Sequence, residues 1–419
     1  MKNSLTTMAS CLALGVLAAT ASASDRDYYL SAPSVGAIVR LDADTLTATN
    51  WATPMLIPHY GTFLPDGYLY MPDRGWPAMM KIDPNGQVTA LSAGGLFEMP
   101  VTCIPARDGS GFIMSDMKGN KLIHVAMDGT QTLLVDDAMS NDLLDWPDGL
   151  AYDDAGNLYV ANLNGNTIIK YDAQWNASLF STSPLIDQPG GLVIDGSGNM
   201  FCAMYNGNRI VRFRLDTAEA ELFAEQPGVL VHPSDLKLSR DGALLTCGRN
   251  GGVFSIDATG QVTTIYQDFA LGELVGIAVP QDAVPCSGTF TKYGTGMAGS
   301  GGFEPQLRGL FSPCPGAAAA LEFRDFLGGA PTILFLGTQK GSVPLAGGTL
   351  LIDLNSPWVV VPFTMPGAGA GAGDFVLPFT VPDNANLSGI EFDYHAVQAD
   401  PAGPQGAVFS NGLCEIIGT

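Results

Sequence analysis

Apolar residues in this chain come in short runs separated by turn-forming residues, and the arrangement of the runs repeats. One hairpin glycine marks the period: Gly67, Gly111, Gly156, Gly198 and Gly242 are spaced 44, 45, 42 and 44 residues apart. Each copy predicts four strands, A to D. Strand A is expected at 61–64, 102–105, 149–152, 191–194 and 235–238, and a tight Asp/Gly hairpin such as Pro65-Asp66-Gly67 follows it. Strand B reads Tyr68 to Met71 or Leu158 to Ala161. Strand C alternates apolar and polar with period two, as in Ile38 to Leu41, Leu122 to Val125 and Ile168 to Tyr171. Strand D is short and Thr-rich or apolar, as in Gln87 to Leu91 and Gln261 to Ile265.

Residues 27–49 match strands B, C and D but lack strand A, and Val275 to Val279 supplies the missing run more than two hundred residues later. Five complete units and one split unit make six. A repeat of this length with four strands per unit predicts an all-β, six-bladed β-propeller whose first blade is closed by both ends of the domain. The wording of Pro147-Asp-Gly-Leu-Ala-Tyr-Asp-Asp-Ala-Gly-Asn-Leu-Tyr-Val-Ala-Asn162, with its copies at 189–204 and 233–248, resembles the NHL-repeat propellers and the related senescence marker protein/gluconolactonase superfamily. The resemblance covers about residues 25–283. It implies a channel face bearing a ligand site and, in the gluconolactonase-like members, a divalent cation such as Ca²⁺ held by Glu, Asn and Asp side chains.

Near Asp282 to Cys286 the repeat stops. Residues 284–419 are Gly-rich, with strand-like runs at Thr332 to Leu336, Thr349 to Ile352 and Trp358 to Val361, and a Gly/Ala stretch at Pro366 to Gly373 that reads as a separator. Short strands with such punctuation predict a small antiparallel β-sandwich. The segment looks like the Gly-rich C-terminal modules of secreted bacterial proteins.

At the other end, Lys2, the apolar run Cys11 to Ala19 and Ala21-Ser22-Ala23 read as a signal peptide over residues 1–23, with the rest in 24–283 as the propeller. The apolar run is too short for a membrane span. The expected location is therefore secreted, periplasmic or at the cell surface, with no transmembrane segment after signal removal. Six cysteines then remain; Cys103, Cys202 and Cys247 fall inside repeat strands and read as buried thiols, while Cys286 and Cys314 are the first pair to test for a disulfide. Without the signal, 18 basic side chains face 41 acidic ones, a charge of −23. That balance excludes nucleic acid and leaves an extracellular or periplasmic ligand or protein as partner.

In a propeller the loops leading into strand A and the B–C loops share the channel face. His59, Tyr60, Thr102, Asp148, His232 and Asp235 come from the first set; Asp73, Arg74, Trp76, Asp116, Asn162, Tyr205 and Arg249 come from the second. Asn164, Asn206 and Asn250 precede glycine at the same place in three blades, so a tight turn needing positive φ explains them. Tyr60, Asp73, Arg74, Trp76, Tyr205 and Arg249 are the ligand-binding candidates, aromatics and polar groups converging on one pocket. His59 and His232 are the acid/base candidates for a hydrolase or lyase. For a cation, the positions equivalent to the family's ligands read His59, Val101, Asp148, Gly190, Ser234 and Val275, so only Asp148 matches, with Asp235 one residue late. The acidic loop from Asp136 to Asp148 lacks the spacing of a calcium loop and reads as solvated. Gly294 to Gly299 fits G-x-G-x-x-G without the strand-to-helix context that nucleotide binding requires. The leading expectation is a propeller that binds a glycan, peptide or small molecule at its channel face; the alternative is a metal-dependent lactone hydrolase or a lyase.

Overall fold

The protein is described here from a computed structural model, which covers residues 27–239, 242–280 and 287–418. The expected signal peptide, residues 1–23, and Cys286 lie outside the described residues. Among the described residues, the repeat forms six four-stranded antiparallel sheets. Five use four consecutive strands each, for example Pro147–Tyr152, Leu158–Asn162, Thr167–Tyr171 and Ala177–Ser181. In the remaining one the Gly276–Ala278 strand pairs with Tyr28–Ala32, Tyr29 opposite Ala278, so the late run does complete the first sheet.

Two local devices make the sheets. The expected Asp turns are real, because Asp83, Asp153, Asp195 and Asp257 each accept backbone N–H groups two or four residues on, at 2.8–3.0 Å. The inner strands then crowd against one another. A Cβ on Gly149 would lie 2.2 Å from the Gly190 carbonyl, and one on Gly190 would lie 2.9 Å from the Ser234 carbonyl, so these strands approach as only glycine allows. Hydroxyls stitch further neighbours together: Ser31 Oγ donates to the His59 carbonyl at 2.6 Å, Ser115 Oγ to that of Asp148 at 2.7 Å, and Ser234 Oγ to that of Val275 at 2.8 Å. Apolar clusters between adjacent sheets complete the repeat, such as Leu30, Val39, Leu245, Val253 and Ile277 across the closure.

After the repeat come a five-stranded and a three-stranded antiparallel sheet and a separate hairpin. One cluster holding Leu307, Leu321, Phe323, Leu334, Leu336, Phe392 and Leu413 draws on both larger sheets. The three strands expected here are present, but the Gly/Ala stretch is not simply a separator: residues from Gly369 run into the Gly369–Thr380 strand. A Cβ at Gly373 would collide with Met365 and Phe326, so glycine permits a close pairing there. Cys103, Cys202, Cys247 and Cys414 are free and buried, and Cys314 is disulfide-bonded.

The long Ala318–Gly328 strand faces two ways. Ala319, Leu321 and Phe323 enter the C-terminal core, while Ala320 joins Phe201, Leu236 and Phe254 of the repeat. Glu322, on the same side as Ala320, is 1% exposed and bonds Arg212 at 2.5 Å and also Arg214; Arg324 reaches Glu221 at 2.5 Å. A buried charge network thus joins the C-terminal sheets to the repeat.

Candidate functional site

The loops between second and third strands, and those leading into first strands, lie at one end of every sheet. At its centre Tyr60 fills the channel. Its hydroxyl sits 3.4 Å from Asp148 Oδ2 and 3.1 Å from Ser234 Oγ, groups contributed by two other sheets. Tyr60 is 3% exposed; burial and the nearby Asp148 push its hydroxyl well above the ordinary tyrosine range, so it stays protonated. Asp148 is 2% exposed, and its Oδ1 has no hydrogen-bond partner among the described residues. Burial, then the charge of Asp235, raises its carboxyl to about 7. Thr102 Oγ1 and the Tyr205 hydroxyl are likewise buried without partners.

Asp235 has a different fate. Its carboxylate takes Lys237 Nζ at 3.0 Å on both oxygens and the N–H groups of Leu236 and Ile277 at 2.8 and 3.2 Å. The ammonium takes both Asp235 oxygens, and Asp148 is covered by Tyr60. The family-type divalent cation therefore does not fit here: one carboxylate is neutralised and no third acidic side chain joins the other. Among the described residues, the group of three side chains able to share an ion is Glu391, Asp393 and Cys414 in the C-terminal sheets, where Lys340 Nζ already lies 2.6 Å from Glu391.

The two histidines are positioned by backbone. His59 is buried, with Nδ1 3.1 Å from the Val101 carbonyl; burial first, and the Arg74 charge second, lower its pKa to about 3 and keep the ring neutral. His232 has φ +46 and directs Nδ1 to the Tyr205 carbonyl at 2.9 Å. Its N–H is held by Asn208 Oδ1 at 2.7 Å, and the same bond recurs from Trp146 to Asn120 and from Gln188 to Asn166. Each of these three residues precedes a proline and has positive φ, and Asn120, Asn166 and Asn208 have positive φ as well. In two of the three Asn-Gly turns the positive φ falls on the asparagine after the glycine, Asn166 and Asn208, while Asn164 and Asn206 bond Asp145 and Asp187; in the third, Gly251 itself takes it as expected, at φ +74.

Asp73 is also a repeat device. Its carboxylate accepts the N–H groups of Leu56, Ile57, Gly75 and Trp76 at 2.7–3.2 Å, and Asp116 does the same for Glu98, Met99 and Gly119. These bonds leave Asp73 little capacity for a ligand. Arg74 contrasts with it: the partly buried guanidinium forms no hydrogen bond or ion pair among the described residues, yet its charge is felt by His59, Asp148 and Tyr205. Arg249 stacks over the Tyr205 ring at 4.8 Å and pairs with Glu273, while the His232 ring lies 4.9 Å from that of Tyr205. Trp76 is 51% exposed. So Arg74, Tyr205, Arg249 and His232 share the mouth, and Tyr60 and Asp148 lie beneath it.

Sequence reasoning named Trp76 but missed the rest of the apolar rim. Val35, Leu56, Trp76, Met139, Trp146 and Phe269 are exposed, and all six lie in loops at this one end of the sheets. Their signal was available, since each is a large apolar residue in a turn or connection.

Comparison with protein-family models finds no match, and comparison with curated proteins finds none either. Among solved structures, a chain from a nidogen/laminin complex aligns over 62% of this chain and 100% of its own, with a TM-score of 0.54 and 18% identity. A gluconolactonase from Xanthomonas campestris aligns over 61% of this chain and 91% of its own (TM-score 0.48, 14% identity), and a streptogramin B lyase over 86% and 93% (0.41, 13%). The likeness is one of fold, and the fold is that of a β-propeller.

Proposed function

We propose that the chain is a secreted six-bladed propeller, residues 24–283, followed by a β-sandwich, residues 284–419, and that the loop face binds an extracellular or periplasmic ligand. The ligand is a peptide segment of another protein, presenting a carboxylate and apolar side chains. One observation carries this reading: the loop face combines a filled channel with an unpaired Arg74 inside a rim of exposed apolar side chains. A filled channel favours a shallow surface over a deep pocket. Exposed aromatics beside arginine are the composition of interface anchors. The structural match to a chain from a nidogen/laminin complex is in keeping with a protein-binding use of the fold. No helix among the described residues is long and apolar enough to cross a membrane. The hydrolase and lyase readings have less support, because Lys237 neutralises Asp235 and both histidines spend Nδ1 on backbone carbonyls.

An array of acidic and neutral peptides, probed with the mature chain and with R74E/W76A, tests the reading. Acidic peptides retained by the wild type and lost from the double variant are expected. Retention of the same peptides by the variant, or no preference for acidic over neutral peptides, would overturn it.

A further inference from the structure

A second site lies at the opposite end of the sheets, where the fifth sheet of the chain meets the C-terminal strands. There a cavity of about 330 Å³ opens between the turns at Gly196–Gly198 and Asp216 and the strands Thr289–Tyr293 and Gln306–Leu310. Its volume is at the lower end of small-molecule sites. Three cationic side chains, Arg214, Lys292 and Arg308, line it in a chain with 19 basic residues against 41 acidic ones.

Only one of the three is paired. Arg214 spends its charge on Glu322. Arg308 and Lys292 form no ion pair among the described residues, and the Arg308 Nε–H is buried without a hydrogen-bond acceptor. A buried, unmet guanidinium N–H is costly, because its water has been removed and nothing replaces it. The acidic members of the lining, Asp154 and Asp216, are solvent-exposed, so water screens them more than it screens the inward guanidinium. Phe290, 7% exposed, supplies an apolar wall.

We infer that this cavity is a binding site for a small oxyanion carried on an organic body, a carboxylate or a phosphate ester about the size of one sugar ring. The Arg308 side chain turns its guanidinium, whose Nε–H water does not reach, to present a fork of two N–H groups to the oxyanion, Lys292 adds a movable point charge, and Phe290 covers the apolar side of the body. Because both the repeat and the C-terminal strands line the cavity, the ligand bridges them.

Calorimetric titration of the mature chain with a hexuronate, a hexose phosphate and the parent hexose, at matched ionic strength in chloride, tests this. One of the two anions binds and the hexose does not; which anion binds identifies the oxyanion. R308A weakens that binding about tenfold or more, K292A weakens it less, and K118A, at an exposed lysine elsewhere, leaves it unchanged. R308K keeps the charge without the fork and retains the fold if the alanine variant does not; it too loses affinity. Failure of both anions to bind above chloride, or binding that R308A and R308K leave intact, overturns the inference.

Discussion

Replacing Glu322 by glutamine removes the one carboxylate on which three guanidinium groups converge. Arg212 and Glu322 are 2% and 1% exposed, and Arg214 and Arg324 complete the set. Breaking a buried pair by deleting one partner costs about 3–5 kcal/mol; Glu221 still pairs with Arg212 and Arg324, so the buried charge left without a carboxylate is that of Arg214. The depressed pKa of the Glu322 carboxyl gives a second magnitude. Burial alone would raise the Glu322 carboxyl, but Arg212, Arg214 and Arg324 outweigh it and hold the pKa at about 2, against an ordinary 4.5. That difference corresponds to about 3 kcal/mol of stability. The folded-state pKa is depressed, so the contribution is complete above pH 4.5 and disappears as pH falls through 2. Urea unfolding of wild type and E322Q, followed by tryptophan fluorescence and circular dichroism at pH 7 and across pH 5 to 2, measures both. We expect E322Q to lose about 3–5 kcal/mol at pH 7 and to show a correspondingly flatter acid limb. A loss below about 1 kcal/mol at pH 7, with an unchanged acid limb, would refute the assignment of this network as the anchor between the repeat and the C-terminal sheets.

Further outcomes follow from the loop face and the cysteines. The Asp148 carboxyl is raised from 3.8 to about 7, so its contribution is full below pH 3.8 and is lost as pH rises through 7. D148N should therefore gain on wild type by up to about 4 kcal/mol between pH 4 and pH 8 in urea midpoints, and a pH-independent gap would contradict the burial argument. D73A should cost about 3 kcal/mol, since four backbone N–H groups lose a charged acceptor, and thermal unfolding within a degree of wild type would show that water replaces it without cost. Non-reducing peptide mapping of residues 24–419 should find Cys314 joined to Cys286 and four titratable thiols after unfolding; a fifth thiol or a different partner would correct that pairing.

The fold was legible because its determinants are local and repeated. Asp turns, period-two strands and the late Val275 to Val279 run each carry their signal within a few residues, and six copies reinforce it. The site was legible only in part. Arg74 and Tyr205 were among the ligand-binding candidates, but so was Asp73, which is a loop clamp of the kind Asp116 repeats. The neutralisation of Asp235 was available, since Lys237 lies two positions on and period two puts both on one face of the strand. The Arg212–Glu322 contact was not, because 110 residues separate the partners and no periodicity links them. Even so, Glu322 and Arg324 alternating with Leu321 and Phe323 marks a strand whose second face also meets protein.

The first sheet also sets a clock on folding. Tyr29 cannot meet Ala278 until 249 further residues have been made, which at ribosomal rates takes roughly 12 to 50 s. Until then the Tyr28–Ala32 strand keeps an unpaired edge, and the ring can be stacked sheet by sheet but not locked. Closure is thus a late, long-range step with a large loop entropy to overcome, and it comes just before the C-terminal strands emerge to dock on the ring. A chain truncated before Gly276 would present a permanently open edge, ready to pair with its own copies.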